Sequence, residues 1–264
     1  MLTSPSAIAS RPIRATRPTD ADRDEGGVHL VVHARPAVPG RRLVCFPFAG
    51  GGAGVYKRWA EHLAGDVELL AVQLPGRENR VLVPPLRQLA QAADLLVSQL
   101  QRLPRRPTVF FGHSMGALLA YEAALRLQPS AGLQQLVVSG RSGPHMPSTT
   151  PPVATLDDPA FLALLGGMGG TSAAVLNQPE LMRLLLPMLR ADFGMVDDYR
   201  PAPAAPTLSC PVLAVHGRDD PSTSVARMQA WATTTHAQFR LQEFPGGHFF
   251  LHDERARLVQ AMGL

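Results

Sequence analysis

The 264-residue sequence predicts an α/β fold: a mostly parallel sheet flanked by helices, with one helical insertion. Three observations carry this expectation. Short runs of β-branched and apolar residues recur along the chain, as buried parallel strands do. Between them lie stretches with apolar residues at three- and four-residue spacing, the helical period. The alternation then fails once, over residues 142–205.

Taken in order, residues 1–27 carry Ser, Pro, Arg14, Arg17, Asp20, Asp22, Asp24 and Glu25 but no apolar run. They read as a disordered extension rather than a secretory signal. Residues 28–264 read as one domain with strands expected over 28–32, 43–46, 69–73, 108–111, 136–139, 212–216 and 238–244. Helical periodicity is expected over 56–63, 86–103, 114–127, 224–235 and 252–262. Within 142–205, Pro144, Pro147, Pro151 and Pro152 precede apolar helical stretches at 159–165 and 179–193. That segment is expected to form a lid over the carboxyl end of the sheet, where function concentrates. Gly166, Gly167, Gly169 and Gly170 mark an expected hinge or mobile turn inside it.

Composition excludes several classes. At 45% hydrophobic and 17% charged residues, the chain can bury a sizeable core, against global disorder or a coiled coil. Charges or Gly/Pro interrupt every apolar run short of the roughly 18 to 20 residues that cross a bilayer, so no membrane segment is expected. Lys+Arg 25 against Asp+Glu 21 is a modest excess without basic blocks, so no nucleic-acid partner is expected. Cys45 and Cys210 sit apart in apolar runs without metal-ligand spacing; they read as reduced, buried thiols of a cytoplasmic protein, with no metal expected.

The strongest local signal is Gly112-His113-Ser114-Met115-Gly116, which follows the run Val109-Phe110-Phe111 and opens the helical pattern from Ala117. Strand, sharp turn and helix are what a nucleophile elbow requires, and a Cβ at either glycine would collide with neighbouring backbone. A serine hydroxyl needs a base, and the base needs an orienting carboxylate. His248, on the glycine-rich loop after the last strand-like run, is the candidate base. Two aspartates, Asp219 and Asp220, follow the penultimate strand. Asp220 is preferred on its spacing from Gly217 and on Pro221 stiffening the turn beyond it, with Asp219 as the alternative. Ser, Asp and His then fall in the chain order of the α/β-hydrolase fold.

Acyl transfer also needs oxyanion donors. Met115 N–H is one candidate; Ala49 N–H, in Phe46-Pro47-Phe48-Ala49-Gly50-Gly51-Gly52, is the other, with Phe48 as its neighbouring alternative. The same glycine run lacks the GK[ST] ending of a phosphate loop, so no nucleotide cofactor is expected. Phe48, Phe161, Met188 and Phe193 are the candidate apolar contacts for a substrate.

Together with Cys45 to Ala53, Gln73-Leu74-Pro75-Gly76-Arg77-Glu78, Asp198-Tyr199, Cys210-Pro211 and Phe244 to Phe250, these motifs resemble the type II thioesterases of polyketide synthase and nonribosomal peptide synthetase pathways. The resemblance spans about residues 43–264 and implies hydrolysis of acyl groups from the phosphopantetheine arm of carrier proteins, clearing blocked modules. It leaves the 1–27 extension without a counterpart. Leu74 to Glu78 separates this family from lipases and general esterases, yet its residues suggest only a type II turn at Pro75-Gly76 and a surface ion pair. A Ser-His-Asp site also serves a general esterase or lipase, or an acyltransferase or cyclising thioesterase. A noncatalytic binding protein of the same fold is the reading from outside enzymology. Acyl preference and oligomeric state stay open.

Overall fold

Strands buried on both faces order the molecule. The computed structural model describes residues 27–128, 132–148, 152–170, 173–202 and 205–264. Seven strands, β1 (His29–Ala34), β2 (Arg41–Phe46), β3 (Val67–Gln73), β4 (Thr108–His113), β5 (Leu133–Ser139), β6 (Val212–Gly217) and β7 (Phe239–Phe244), form one sheet in the order β1-β3-β2-β4-β5-β6-β7. Only β1 runs antiparallel, against β3; the other pairs are parallel. The extension 1–27 lies outside the described residues except Gly27, whose carbonyl accepts a hydrogen bond from Arg80.

Side chains alternate across the sheet with the strand period of two. Val44, Phe46, Leu70, Val72 and Phe110 face α1 (Leu89–Gln101) and α2 (Met115–Leu127). Leu43, Cys45, Leu69, Ala71 and Phe111 face the other way, toward Tyr56 and Trp59 of the 3-10 segment Ala53–His62. Burying each such large side chain contributes about 1.5–3 kcal/mol, so the central strands are firmly held. The chain leaves β2 toward β3 on one side and returns as β4 on the other. That reversal opens a crevice at the carboxyl ends of β2 and β4, where parallel α/β sheets bind ligands.

All seven expected strands are present, most of them longer than their apolar runs. Helices depart further. The stretch expected to be helical over 56–63 is a 3-10 segment, and 224–235 divides into α6 (Val225–Gln229) and a 3-10 turn, Ala230–Thr234. The C-terminal stretch divides likewise, into a 3-10 turn Phe250–His252 and α7 (Arg255–Ala261). Over so few residues, apolar spacing does not separate the tighter helix from the α-helix.

Between β5 and β6 the chain forms α3 (Asp158–Met168), α4 (Ala173–Leu176) and α5 (Pro179–Asp197). Asp157 caps α3 by accepting from Ala160 N–H at 2.9 Å, and a proline occupies its first turn. The expected glycine hinge is smaller than its four residues suggested. Gly166 and Gly167 continue α3, and only Gly169 is left-handed, at φ 75°, as the residue that ends the helix. Pro187 lies inside α5.

Candidate active site

The crevice is built first by the turn between β4 and α2. Ser114 adopts φ 54° and ψ −116°, one of two non-glycine residues with positive φ among those described. Such a conformation costs on the order of 1–3 kcal/mol and persists only where its surroundings enforce it. Here a Cβ at Gly112 would overlap the Gly116 carbonyl, and one at Gly116 would overlap the Phe46 carbonyl. Ser114 N–H donates to Ser139 O at 2.8 Å, which ties the turn to β5. The serine therefore stands above the sheet at the N-terminus of α2, whose dipole favours negative charge there.

His248 follows β7 on a loop that approaches the end of β6 closely: a Cβ at Gly217 would overlap the carbonyls of Gly246 and Gly247. The close approach brings His248 Nδ1 to 2.7 Å from Asp220 Oδ2. Asp220 Oδ1 accepts from Ser222 N–H at 2.8 Å and from Ser222 Oγ at 2.6 Å, and Ser222 Oγ lies 3.1 Å from His248 Nδ1. Burial alone would raise the Asp220 carboxyl, but the hydrogen bond and charge of His248, with the two bonds from Ser222, hold it down to about 2. An ionised Asp220 orients the ring with Nδ1 protonated and leaves Nε2 as the acceptor. Nε2 is buried and has no hydrogen-bond partner among the described residues.

Asp219 is exposed, with its backbone N–H on Gly246 O at 3.0 Å, so of the two aspartates Asp220 meets the histidine. Ser222 is the residue that sequence reasoning missed. A signal was present, because an aspartate two residues before a serine is the pattern of an Asx-turn.

Ser114, His248 and Ala49 line one cavity. Ala49 N–H has no hydrogen-bond partner among the described residues. Phe48, the alternative donor, does not line that cavity, and its ring packs on Phe249 at 5.0 Å. The apolar candidates divide. Phe193 lines the cavity together with Leu164 and Met168 from α3. Phe161 is instead fully buried within the insertion, edge-on to Phe193 and beneath the Arg190 guanidinium, and Met188 packs against Gly76. Both lie in the insertion's own buried cluster, with Leu165, Met182 and Leu189, and not on the wall of this cavity. Arg141, Ser142, Thr223 and Asp197 add polar groups to the wall, which the apolar pattern of the insertion did not announce.

The Leu74 to Glu78 segment is also corrected. Gly76 has the φ of 84° that a type II turn requires, but the ion pair is not at the surface: Arg77 is 2% exposed and its partner, Asp192, 0%. Cys45 and Cys210 are both buried and unpaired, and burial pushes both thiols up, Cys210 to about 11. Among the described residues no group of His, Cys, Asp or Glu is gathered to hold a metal ion. Nor is any helix there long and apolar enough to cross a membrane.

His113, inside the elbow, is fully buried, with Nδ1 2.9 Å from Ser139 Oγ and its ring centroid 4.8 Å from that of His248. Burial, reinforced by the neighbouring charge of His248, holds it well below its ordinary 6.5 and keeps it neutral. A depressed value means that the unfolded chain takes up this proton first, so stability is present above about pH 6.5 and is lost as pH falls. Denaturant titrations of the parent should therefore show a loss of up to about 1.4 kcal/mol per pH unit below that point from this group. His113→Asn should flatten the dependence. Equal slopes for parent and variant between pH 6.5 and 5 would refute the assignment.

A mostly parallel seven-stranded sheet with a serine on the strand-to-helix turn, and a histidine–aspartate pair beside it, defines an α/β-hydrolase. Residues 41–262 match the thioesterase domain family. The chain belongs to that family, whose members are serine hydrolases acting on thioesters. It is 44% identical over 213 residues to the "Probable cadicidin biosynthesis thioesterase" of Streptomyces griseus, covering 80% of this chain but only 58% of that protein. It is 35% identical over 223 residues to the gramicidin S biosynthesis protein GrsT of Aneurinibacillus migulanus, covering 84% and 87%. Among solved structures, the type II thioesterase BorB from the borrelidin biosynthetic cluster superposes with a TM-score of 0.80 at 38% identity, over 89% of this chain and 96% of that one.

Proposed function

We propose that this chain hydrolyses acyl thioesters borne on the phosphopantetheine arm of carrier proteins, removing stalled or aberrant acyl units in polyketide or nonribosomal peptide biosynthesis in the cytoplasm. One observation carries the chemistry: the Asp220–His248 pair, the strained Ser114 and the unpartnered Ala49 N–H meet at one cavity. Ser114 Oγ attacks the thioester carbonyl while His248 Nε2 takes its proton, and the carbonyl electron pair moves to oxygen between Ala49 N–H and Met115 N–H. Collapse expels the thiol, which leaves with the proton from His248. Water then attacks the acyl-serine by the same route, releasing the carboxylic acid and restoring Ser114. His248 Nε2 and Ser114 Oγ are not hydrogen-bonded as the protein stands; such contacts often tighten only when substrate is bound. The helices after β5 act as the lid of the cavity through Leu164, Met168 and Phe193.

The carrier is supported by the pathways of the relatives and by the matching motifs, and a kinetic comparison tests it. An acyl group on its carrier protein should be cleaved with a higher kcat/KM than the same acyl group on a short thiol, because protein contacts supply binding that is used in the transition state. Equal values would remove the carrier and leave a general thioesterase.

A further inference from the structure

The Leu74 to Glu78 segment, whose role its residues did not reveal, holds the loop that carries the oxyanion donor. Arg77 Nη2 donates to Asp192 Oδ1 at 2.8 Å and Arg77 Nη1 to Asp192 Oδ2 at 2.8 Å, a two-pronged ion pair. Asp192 Oδ2 also accepts from Gly50 N–H at 2.8 Å, and Arg77 Nη1 donates to Gly51 O at 3.0 Å. The neighbouring residues grip the same loop further along. Gln73 Oε1 accepts from Ala53 N–H at 2.6 Å while its Nε2 donates to Arg77 O at 3.1 Å, and Glu78 Oε1 accepts from Gly54 N–H at 2.9 Å. The residue just before this gripped stretch is Ala49.

Asp192 lies on α5, one residue before Phe193, which lines the cavity. On the Asp192 side, Leu189 sits so close to Gly50 that a Cβ there would lie 2.7 Å from its Cδ2, and Gly50 takes φ 82°. One helix thus faces the substrate space with one side and the oxyanion loop with the other. A buried ion pair is weak evidence for stability, because apolar residues of similar volume often fill such a site equally well. Apolar residues cannot, however, accept from Gly50 N–H or donate to Gly51 O.

We propose that Arg77 and Asp192 are positioning residues that clamp residues 50–51 and so aim the Ala49 N–H at the oxyanion. The proposal rests on Ser114 as nucleophile and Ala49 as donor. Because only the transition state carries the oxyanion, releasing the clamp lowers kcat and leaves substrate binding nearly unchanged.

The test uses the full chain, an acyl thioester, a thioether that cannot be hydrolysed, and a trifluoromethyl ketone of the same acyl length. The ketone is attacked by Ser114 Oγ to give a tetrahedral adduct, its carbonyl electrons becoming an oxyanion and the serine proton passing to His248. The double variant Arg77→Met/Asp192→Leu keeps volume and removes both charges; Asp192→Asn is the isosteric companion. In whichever variant keeps the parent's circular dichroism and cooperative melting, kcat should fall about 100-fold, with KM and thioether affinity within about threefold. Ketone affinity should fall by the same factor as kcat/KM. A folded variant with kcat and ketone affinity within threefold of the parent would overturn the clamp. So would failure of both variants to fold, which would assign the pair to the core alone. Failure of the underlying reading looks different: the parent itself would bind no ketone, or Ser114→Ala would retain turnover.

Discussion

Ser114→Ala should lower thioester turnover by about 10⁶-fold, and His248→Ala should do nearly the same, with the double variant no worse than either alone. The two side chains act as one unit: without the hydroxyl there is no acyl-serine, and without Nε2 the hydroxyl keeps its proton. What remains is set by oxyanion donors and binding, which neither substitution touches. Release of free thiol from an acyl thioester gives the rate, and circular dichroism checks the fold. Ser114→Ala also relieves none of the strain at φ 54°, since alanine has the same Cβ, so its stability should stay within about 1 kcal/mol of the parent. A variant at either position with near-normal turnover would remove the nucleophile–base assignment.

How much of this was legible depended on how local each feature's cause is. Strands such as Val109 to Phe111 are buried on both faces, so a continuous apolar run signals them directly, and the glycines of the elbow show because a Cβ at 112 or 116 meets backbone a few residues away. The pairing of Asp220 with His248 was within reach because each lies a few residues past the carboxyl end of one of two neighbouring parallel strands. Arg77 and Asp192 stand 115 residues apart, on a turn and on a helix of the insertion, and no periodicity links them. The same limit applied to Phe161 and Met188. An apolar residue on a lid helix can face the substrate or the protein, and only the rotation of α3 and α5 against the sheet decides.

Asp220→Asn should lower turnover by about 10⁴-fold, whereas Asp219→Asn should leave it within about twofold. Ser222 decides how an asparagine would sit here. Its N–H and its Oγ both donate to Asp220 Oδ1, so an asparagine at this position will turn its carbonyl oxygen toward Ser222 and its amide nitrogen toward His248. An amide N–H facing Nδ1 requires an unprotonated Nδ1, which moves the ring proton to Nε2. The imidazole then presents a donor to Ser114 where it must present an acceptor, and no carboxylate balances the imidazolium formed during attack. Ser222→Ala should be far milder, about tenfold, because Ser222 N–H still holds Oδ1 and Asp220 still binds Nδ1. Steady-state turnover of the three variants at pH 7.5 measures the ranking. Loss of activity in Asp219→Asn with retention in Asp220→Asn would transfer the orienting role to the exposed aspartate. A Ser222→Ala variant as impaired as Asp220→Asn would instead mean that the serine hydroxyl, not the carboxylate, fixes the tautomer of His248.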